Sequence, residues 1–378
     1  MRSTFWSKIV IEPGPFNTEP TKVQEIVAFF IDCTHGQPFS FEFCMDYGGL
    51  ENRLHLVFAD LCAYSEQWEE ASIGLLSPEL KYFCAIQGRL PLLRKLEIFV
   101  SCLADSTTSI PSMVTNVFED APLLTHVGLW DINTWQFNFN WSSLTIIKIL
   151  YLQKWEGFLA ILRETNLVEL MVVGSRGKDL RMEGGELIHL PCLERLSVDW
   201  TPLLTVLETP SLQQLKISLN PYDNLNDART TLGFLRRLGI KLNYFLIWSD
   251  SEVRAADVKE ILRGMPEVDR LTLMGVLDTV FKWLAETRTQ ELRCSNLIVF
   301  WYHTTLKETG MLEALNDMIA RRNLPGDVRN PSPKEVIVGT PWGWDQALTA
   351  NLKSLCRDRG IRFGFIHEMS TLPWGLYE

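Results

Sequence analysis

The residues that could carry out catalysis or bind a metal ion are scattered along this sequence. Six histidines occupy positions 35, 55, 126, 189, 303 and 367, and no two have the short spacing that brings imidazoles to one metal ion. The Gly-Lys pair in GSRGKDL (174–180) lacks the G-x-x-x-x-G-K-[S/T] spacing of a phosphate-binding loop and indicates a turn. We therefore expect no enzyme, no metal ion and no organic cofactor. An enzyme with a dispersed site around 220–228 or 323–334 is the least supported alternative.

Apolar contact with a partner is the interaction that the residue pattern favours. Many of the thirteen tryptophans follow short segments in which apolar and polar residues alternate. If these segments are strands, the residue after the last buried position points outward. Large exposed apolar patches mark partner sites, and Trp, Phe and Met are common interface anchors. The candidate partner-binding residues, which we call the apolar row, are Phe99, Trp130, Leu150, Trp248, Met274 and Phe300.

Two interpretations of the apolar row remain open. It is either a binding stripe or ordinary core that is covered by connecting loops. The outward positions inside the same segments carry mixed charge and would flank the row with polar groups. They include Lys95, Glu97, Lys148, Glu169, Arg195 and Lys216.

The segments that position the apolar row share the pattern L-x-x-L-x-L. One copy is Leu93-x-x-Leu96-x-Ile98, and its preceding proline suits the start of a strand. Successive copies lie roughly 20 to 30 residues apart, which is the range of leucine-rich repeats. About fourteen strands are predicted in this way. The other copies are centred on Ile9, Phe41, Ala71, Val127, Ile147, Leu170, Leu196, Leu215, Phe245, Leu271, Leu297, Val336 and Phe363.

Segments with helical spacing lie between many of the copies. SEVRAADVKEILRG (251–264) has apolar residues at 253, 258, 261 and 262, and Gly264 suits its end. The alternation predicts an α/β leucine-rich-repeat-like solenoid, a horseshoe with a parallel β-sheet on the concave face and helices or loops on the convex face. The other predicted helices are 21–33, 155–165, 278–288, 310–322 and 343–360.

The regularity of the repeats divides the chain into three segments. Residues 1–75 hold divergent N-terminal repeats, and residues 76–322 hold the irregular solenoid. Residues 323–378 form a linker loop and a C-terminal β-α-β cap.

Composition disfavours several other classes of protein. A net charge of −10 and a pI near 5.3 disfavour nucleic-acid binding. The longest apolar runs, such as IVAFFI (26–31), are too short to cross a bilayer, and no signal peptide is recognised. The eight cysteines form no C-x-x-C pair and are predicted to be reduced and buried, for example Cys192 and Cys294. We expect a cytoplasmic or nuclear protein that binds neither nucleic acid nor membrane.

Several of these segments resemble one protein family. STFWSKIVIEP (3–13) resembles the segment after the F-box in fungal, basidiomycete-type F-box proteins, where P-x-L-W-S-x-I-x-I leads into the first strand. SEQWEEASIGL (65–75) resembles their R-W-x-x-l-x-L element, with Gln67 where a basic residue is usual. GRLPLLRKLEI (88–98) and VFEDAPLLTHVGLW (117–130) are similar to the next two elements, in the same order. The resemblance covers about residues 1–300.

The resemblance implies a function in protein recognition. In such F-box/leucine-rich-repeat proteins the repeats hold the substrate of a cullin–RING (SCF) ubiquitin ligase, and the F-box docks on the ligase adaptor. No F-box is recognisable here, since the chain begins about where that module would end. We expect a protein substrate on the concave face, with adaptor binding only if an F-box is restored. The alternative is an F-box-less scaffold or decoy that binds protein partners outside ubiquitination.

Overall fold

The structure is a computed structural model in which two compact units are distinguished. Unit 1 comprises Met1–Leu180 and Ile188–Leu193, and unit 2 comprises Arg181–Leu187 and Glu194–Glu378. For 294–302 and 333–339 only the backbone is described. The division into 1–75, 76–322 and 323–378 stays a prediction. The described residues are 7–11, 20–44, 54–101, 114–130, 137–152, 155–173, 186–199, 201–219, 227–239, 242–249, 255–265, 268–274, 278–286, 294–302, 316–320, 333–339 and 346–366.

Unit 1 is built on a parallel sheet in which consecutive strands are neighbours, in the order β1 to β7. Its helices are α1 (Pro20–Thr34), α2 (Leu54–Ala63) and α3 (Trp155–Leu162), and Ser77–Ile86 form a 3₁₀ segment. Its strands are β1 (Lys8–Ile11), β2 (Phe39–Cys44), β3 (Trp68–Leu76), β4 (Lys95–Ser101), β5 (His126–Trp130), β6 (Ile146–Leu150), β7 (Glu169–Val173) and the two-residue β8 (Ile188–His189).

Unit 2 follows the same plan with more helix. Its sheet has parallel neighbours in the order β9, β11, β12, β13, β14, β15 and β16. The strands are β9 (Arg195–Val198), β10 (Leu207–Glu208), β11 (Gln214–Leu219), β12 (Leu242–Ser249), β13 (Val268–Met274), β14 (Cys294–Tyr302), β15 (Pro333–Gly339) and β16 (Arg362–Ile366). The helices are α4 (Leu203–Val206), α5 (Asp227–Leu238), α6 (Ala255–Gly264), α7 (Asp278–Glu286), α8 (316–320) and α9 (Gln346–Asp358).

Hydrogen-bond register aligns the repeated anchors from strand to strand. Leu96 lies opposite Val127, which lies opposite Ile147 on the next strand. In unit 2, Leu215 lies opposite Phe245. These anchors are fully or almost fully buried, so the prediction that L-x-L residues point into the core is confirmed. Each α/β unit therefore has a covered face, where the anchors lie, and an opposite face, which we call the free face.

The prolines of four repeats were predicted to lie at strand starts, but they lie in turns that precede the strands. Pro91 is the second residue of a turn that the Leu93 amide closes by donating to the Leu90 carbonyl at 3.5 Å, and β4 begins only at Lys95. Pro122, Pro191 and Pro210 occupy equivalent turns. The physical reason is that proline fixes φ near the value required at the second position of a turn.

A ladder of backbone carbonyls joins the starts of successive strands. The Arg94 carbonyl accepts the amides of Thr125 and His126 at 3.0 and 3.1 Å. The Thr125 carbonyl accepts the next pair of amides, from Thr145 and Ile146, at 2.9 and 3.1 Å. In this way each repeat fixes the start of the following strand with two donors on one acceptor.

The two covered faces are filled differently. In unit 1 a chain of ring contacts runs through Phe43, Phe58, Phe83, Phe118 and Phe137, with centroids between 5.2 and 5.8 Å apart. In unit 2 the helices α5 and α6 supply mostly aliphatic side chains. These include the buried Leu235, Val258, Ile261 and Leu262.

The cysteines are free where they are described, but they are not all buried as predicted, since Cys33, Cys44 and Cys84 are only partly buried. Cys62 and Cys356 are buried, which raises the pKa of their thiols to about 12 and about 11. Cys192, predicted to be buried, is exposed, because the turn after Pro191 carries its side chain away from the core. Cys294 lies on β14, whose side chains are not described.

Candidate functional site

The free face of unit 1 brings three residues of the apolar row together. Register places Phe99 of β4 opposite Trp130 of β5, and Trp130 opposite Leu150 of β6. All three side chains are partly exposed. Because neighbouring strands lie about 4.8 Å apart, the three side chains form one continuous band across the sheet.

The remaining residues of the apolar row lie on the free face of unit 2. Trp248 of β12 is opposite Met274 of β13, and Met274 is opposite Phe300 of β14. Trp248 is partly exposed, whereas the side chains of Met274 and Phe300 lie outside the described residues. Whether the row is a binding stripe or is covered core stays a prediction.

A glycine allows the Trp130 ring to lie flat against the free face. A methyl group built on Gly128 would meet Cζ3 of Trp130 at 2.8 Å and Cγ of Glu97 at 2.9 Å. No real side chain tolerates contacts that short without displacement. The glycine therefore lets the indole fold back over its own strand and lie beside Glu97.

Charged side chains flank the band formed by Phe99, Trp130 and Leu150. Lys95 Nζ lies 3.0 Å from Oε1 of Glu97, and the Glu97 side chain is only 12% exposed. His126 Nε2 lies 3.9 Å from the same oxygen. Burial, together with the nearby charges of Lys148 and Lys95, lowers the pKa of His126 to about 3. At neutral pH the imidazole is uncharged, so Lys95 is the ion-pair partner of Glu97.

A strained residue ends the strand that carries Leu150. Tyr151 has a φ of 64°, the left-handed region that a bulky residue rarely adopts, and its side chain is 38% exposed. The amide of Tyr151 donates to the carbonyl of Val173 at 2.7 Å, which fixes this conformation. Strained backbone of this kind is concentrated at binding sites, so Tyr151 extends the candidate site at the edge of the apolar row.

The free face of unit 2 carries different side chains from the free face of unit 1. Tyr244 occupies the position equivalent to His126, and the guanidinium of Arg270 lies 5.6 Å from the centre of the Tyr244 ring. Leu246 and Thr272, which follow Lys216 in register, are each 1% exposed. The predicted charged flank is therefore present at Lys216 and Arg195, which are partly exposed, but is replaced by buried side chains at β12 and β13.

Several site residues were missed by the sequence reasoning. The partial burial of His126 gave no sequence signal, because it depends on two neighbouring strands. Tyr151 gave no sequence signal, since its strain is a property of the fold. Gly128 did give a signal: a glycine inside an alternating strand pattern indicates a close approach.

In the described part of the chain, no three His, Cys, Asp or Glu side chains are grouped in a way that could hold a metal ion. None of the helices that the structure describes combines the length and apolar character needed to cross a bilayer.

No protein-family model matches the chain, and no curated protein sequence matches it.

Proposed function

We propose that this chain is a non-enzymatic protein-interaction module that holds a protein partner on the free face of unit 1. The observation that carries the proposal is the in-register band of Phe99, Trp130 and Leu150, which is apolar and partly exposed. Aromatic side chains that are already held in place lose little conformational entropy when a partner covers them, and they are frequent hot spots of binding energy.

The surroundings of the band support a protein partner. The ion pair of Lys95 and Glu97 and the partly exposed Lys148 lie on the same face of the sheet. A specific interface combines an apolar centre with a polar rim, and this arrangement provides both within three strands. Phe99 and Trp130 would anchor the partner, and the charged groups would fix its orientation.

The resemblance described above supports a more specific role. In this proposal each unit is a stretch of a leucine-rich-repeat-like solenoid, and the chain is the substrate-recognition part of a cullin–RING ubiquitin ligase in the cytoplasm or nucleus. Its mechanism would be to hold a target protein so that an associated ligase modifies it. The alternative role is a scaffold, which would bind the same partner but would not be recovered together with ligase subunits.

The test is affinity purification of the tagged chain from its own cells, followed by mass spectrometry. Trp130→Ala and Trp248→Ala are compared with Phe29→Ala, which removes an aromatic ring that is 60% exposed on α1. We expect a partner that wild type and Phe29→Ala retain and Trp130→Ala loses. The partner is then purified and titrated against the same variants.

The accompanying proteins separate the two roles. Ligase subunits recovered with the partner support the substrate-receptor role, and a partner without them supports the scaffold. Equal binding of the purified partner by wild type and Trp130→Ala would show that the free face of unit 1 is not the binding surface.

A further inference from the structure

Some of the charged groups around Trp130 form ion pairs, and one does not. Glu97 and Lys95 form an ion pair, and their charges cancel. The partly buried imidazole of His126 adds no charge at neutral pH. Within the described part of the chain, no carboxylate lies within ion-pair distance of Lys148. Among the described residues, the ammonium group of Lys148 is therefore left without a counter-charge beside the apolar band.

The position of Lys148 explains why it has no partner on the sheet. It lies in the middle of β6, opposite Gly128 on one side and Met171 on the other. Glycine offers no side chain, and Met171 is apolar and buried. Glu169 of β7 is in register with Ile146 rather than with Lys148.

A partner that covers the band must also cover Lys148, because Leu150 is the next free-face residue on the same strand. Removing water from an ammonium group is costly unless an anion replaces the water. We infer that the partner of the unit 1 free face presents a carboxylate beside apolar side chains, and that Lys148 pairs with this carboxylate. This inference rests on the proposed function.

The same surface argues for a carboxylate over other anions. Phosphate groups are recognised mainly by arginine forks or clusters of cations, whereas the outward strand positions β4 to β6 provide one unpaired lysine. Nucleic acid would require a broad basic surface, and the chain has a net charge of −10. The partner is therefore an acidic segment of a polypeptide with apolar residues next to its carboxylate.

The experiment selects ligands from a random-peptide display library on purified full-length chain. Wild type is compared with Lys148→Glu, Lys148→Met and Trp130→Ala. The matched control is Lys216→Glu, since Lys216 holds the equivalent mid-strand position on β11 of unit 2. Circular dichroism and an unfolding curve of each variant establish that it is folded before selection.

We expect wild type and Lys216→Glu to select peptides with Asp or Glu next to apolar residues, and Lys148→Glu to select Lys or Arg in that place. For a selected peptide, Lys148→Met and replacement of the peptide Glu by Gln should each weaken binding about tenfold. The two changes together should weaken it by little more than either alone, because both remove the same contact.

Two results would overturn the inference, and they are distinguishable. Peptides that depend on Trp130 but show no acidic preference, or are unaffected by Lys148→Glu, would refute the role of Lys148 and leave the proposed function standing. If no selected peptide depends on Trp130, both the inference and the proposed function fail.

Discussion

Unit 1 and unit 2 use the same strand pattern and differ in what lies on either side of it. Both sheets align their L-x-L anchors in parallel register. Unit 1 fills its covered face with a chain of phenylalanine rings and places charged residues and a histidine on its free face. Unit 2 packs helices α5 and α6 on its sheet and buries Tyr244, Leu246 and Thr272 on the other side.

The anchors therefore determine the sheet but not the layer that covers it or the function of its free face. Alternating apolar residues suffice to specify strand direction and register. The covering layer depends on the longer and variable segments between the strands. A free face becomes a candidate binding surface where polar groups and a glycine leave an aromatic ring accessible, which is the situation at Trp130.

The first prediction has the largest expected effect and concerns the contacting phenylalanine rings of unit 1. Phe83 is fully buried and contacts Phe58 at 5.8 Å and Phe118 at 5.3 Å between centroids. Phe83→Ala should lower the free energy of unfolding by about 4 kcal/mol, and Leu262→Ala in the aliphatic core of unit 2 by about 3 kcal/mol. Guanidinium titrations measure both. A smaller loss for Phe83→Ala would mean that the rings are not the main support of unit 1.

The strands and most of the longer helices could be predicted from the sequence, because the L-x-L anchors and the helical spacing of apolar residues are visible in it. Strands were predicted at all the places where the parallel sheets of unit 1 and unit 2 have them, whereas the two-residue strands β8 and β10 were missed. The six predicted helices are confirmed at 20–34, 155–162, 255–264, 278–286, 316–320 and 346–358. The parts of these predicted helices that fall at 251–254, 287–288, 310–315, 321–322 and 343–345 lie outside the described residues.

Three of the described helices were missed: the four-residue α4 (Leu203–Val206) and two longer helices, α2 and α5, whose sequences explain the failure. LHLVFADLCA (54–63) is apolar on nearly every side, so no helical period is visible, and short apolar runs are also compatible with strands. DARTTLGFLRRL (227–238) follows a turn-like stretch and contains two threonines and a glycine, which are weak helix formers. Packing against neighbouring helices decides both cases, and a single segment does not reveal it.

The candidate site could be predicted only in part. The apolar row followed from the period of the strands, because the residue after each anchor pair points outward. The partial burial of His126 and the strain at Tyr151 depend on neighbours from other repeats, so the sequence of one repeat contains no sign of them.

The second prediction contrasts the pH dependence of the two free faces. The pKa of His126 falls from 6.5 to about 3 in the folded chain, so the unfolded chain alone takes up a proton between these values. Stability is therefore present above pH 6.5 and is lost as the pH falls. At pH 5 the loss should reach about 1 to 2 kcal/mol. His126→Gln should remove this loss, as measured by urea unfolding at several pH values.

Urea unfolding at alkaline pH tests the equivalent position of unit 2, which is Tyr244. Burial raises the pKa of this tyrosine above its ordinary value of 10.0. Stability is then present below pH 10 and is lost as the pH rises above it, and Tyr244→Phe should reduce this alkaline loss. If His126→Gln does not change the loss of stability below pH 6.5, the free face of unit 1 does not hold the His126 imidazole uncharged.

The third prediction compares two glycines that have close neighbours. An added methyl group at Gly128 meets the Trp130 ring at 2.8 Å, and one at Gly264 of α6 meets the tips of Leu232 at 3.0 Å. Gly128→Ala should cost about 1 to 2 kcal/mol and rotate the indole outward. Gly264→Ala should change stability by less than about 0.5 kcal/mol, because a leucine tip moves easily and alanine favours helix. Acrylamide quenching of tryptophan fluorescence detects the rotation.

The last prediction has the smallest expected effect. It concerns an arginine that donates to a helix C-terminus, a feature that both units share. Arg237 of unit 2 donates to the Leu204 carbonyl of α4, and Arg89 of unit 1 donates to the Ala63 carbonyl of α2 at 2.8 Å. The carbonyls at a helix C-terminus lack partners and carry partial negative charge, so a guanidinium stabilises them. Replacing either arginine by methionine should therefore cost about 1 kcal/mol in chemical unfolding.

A control in unit 1 separates this effect from a surface ion pair. Arg89 also lies 3.1 Å from Glu66, but the two side chains are 40% and 63% exposed. Exposed pairs contribute little, so Glu66→Gln should cost less than about 0.5 kcal/mol. An equal loss for Glu66→Gln and Arg89→Met would assign the stabilisation to the ion pair. The units would then differ here too, because Arg237 donates to the carbonyls of Leu204 and Thr205.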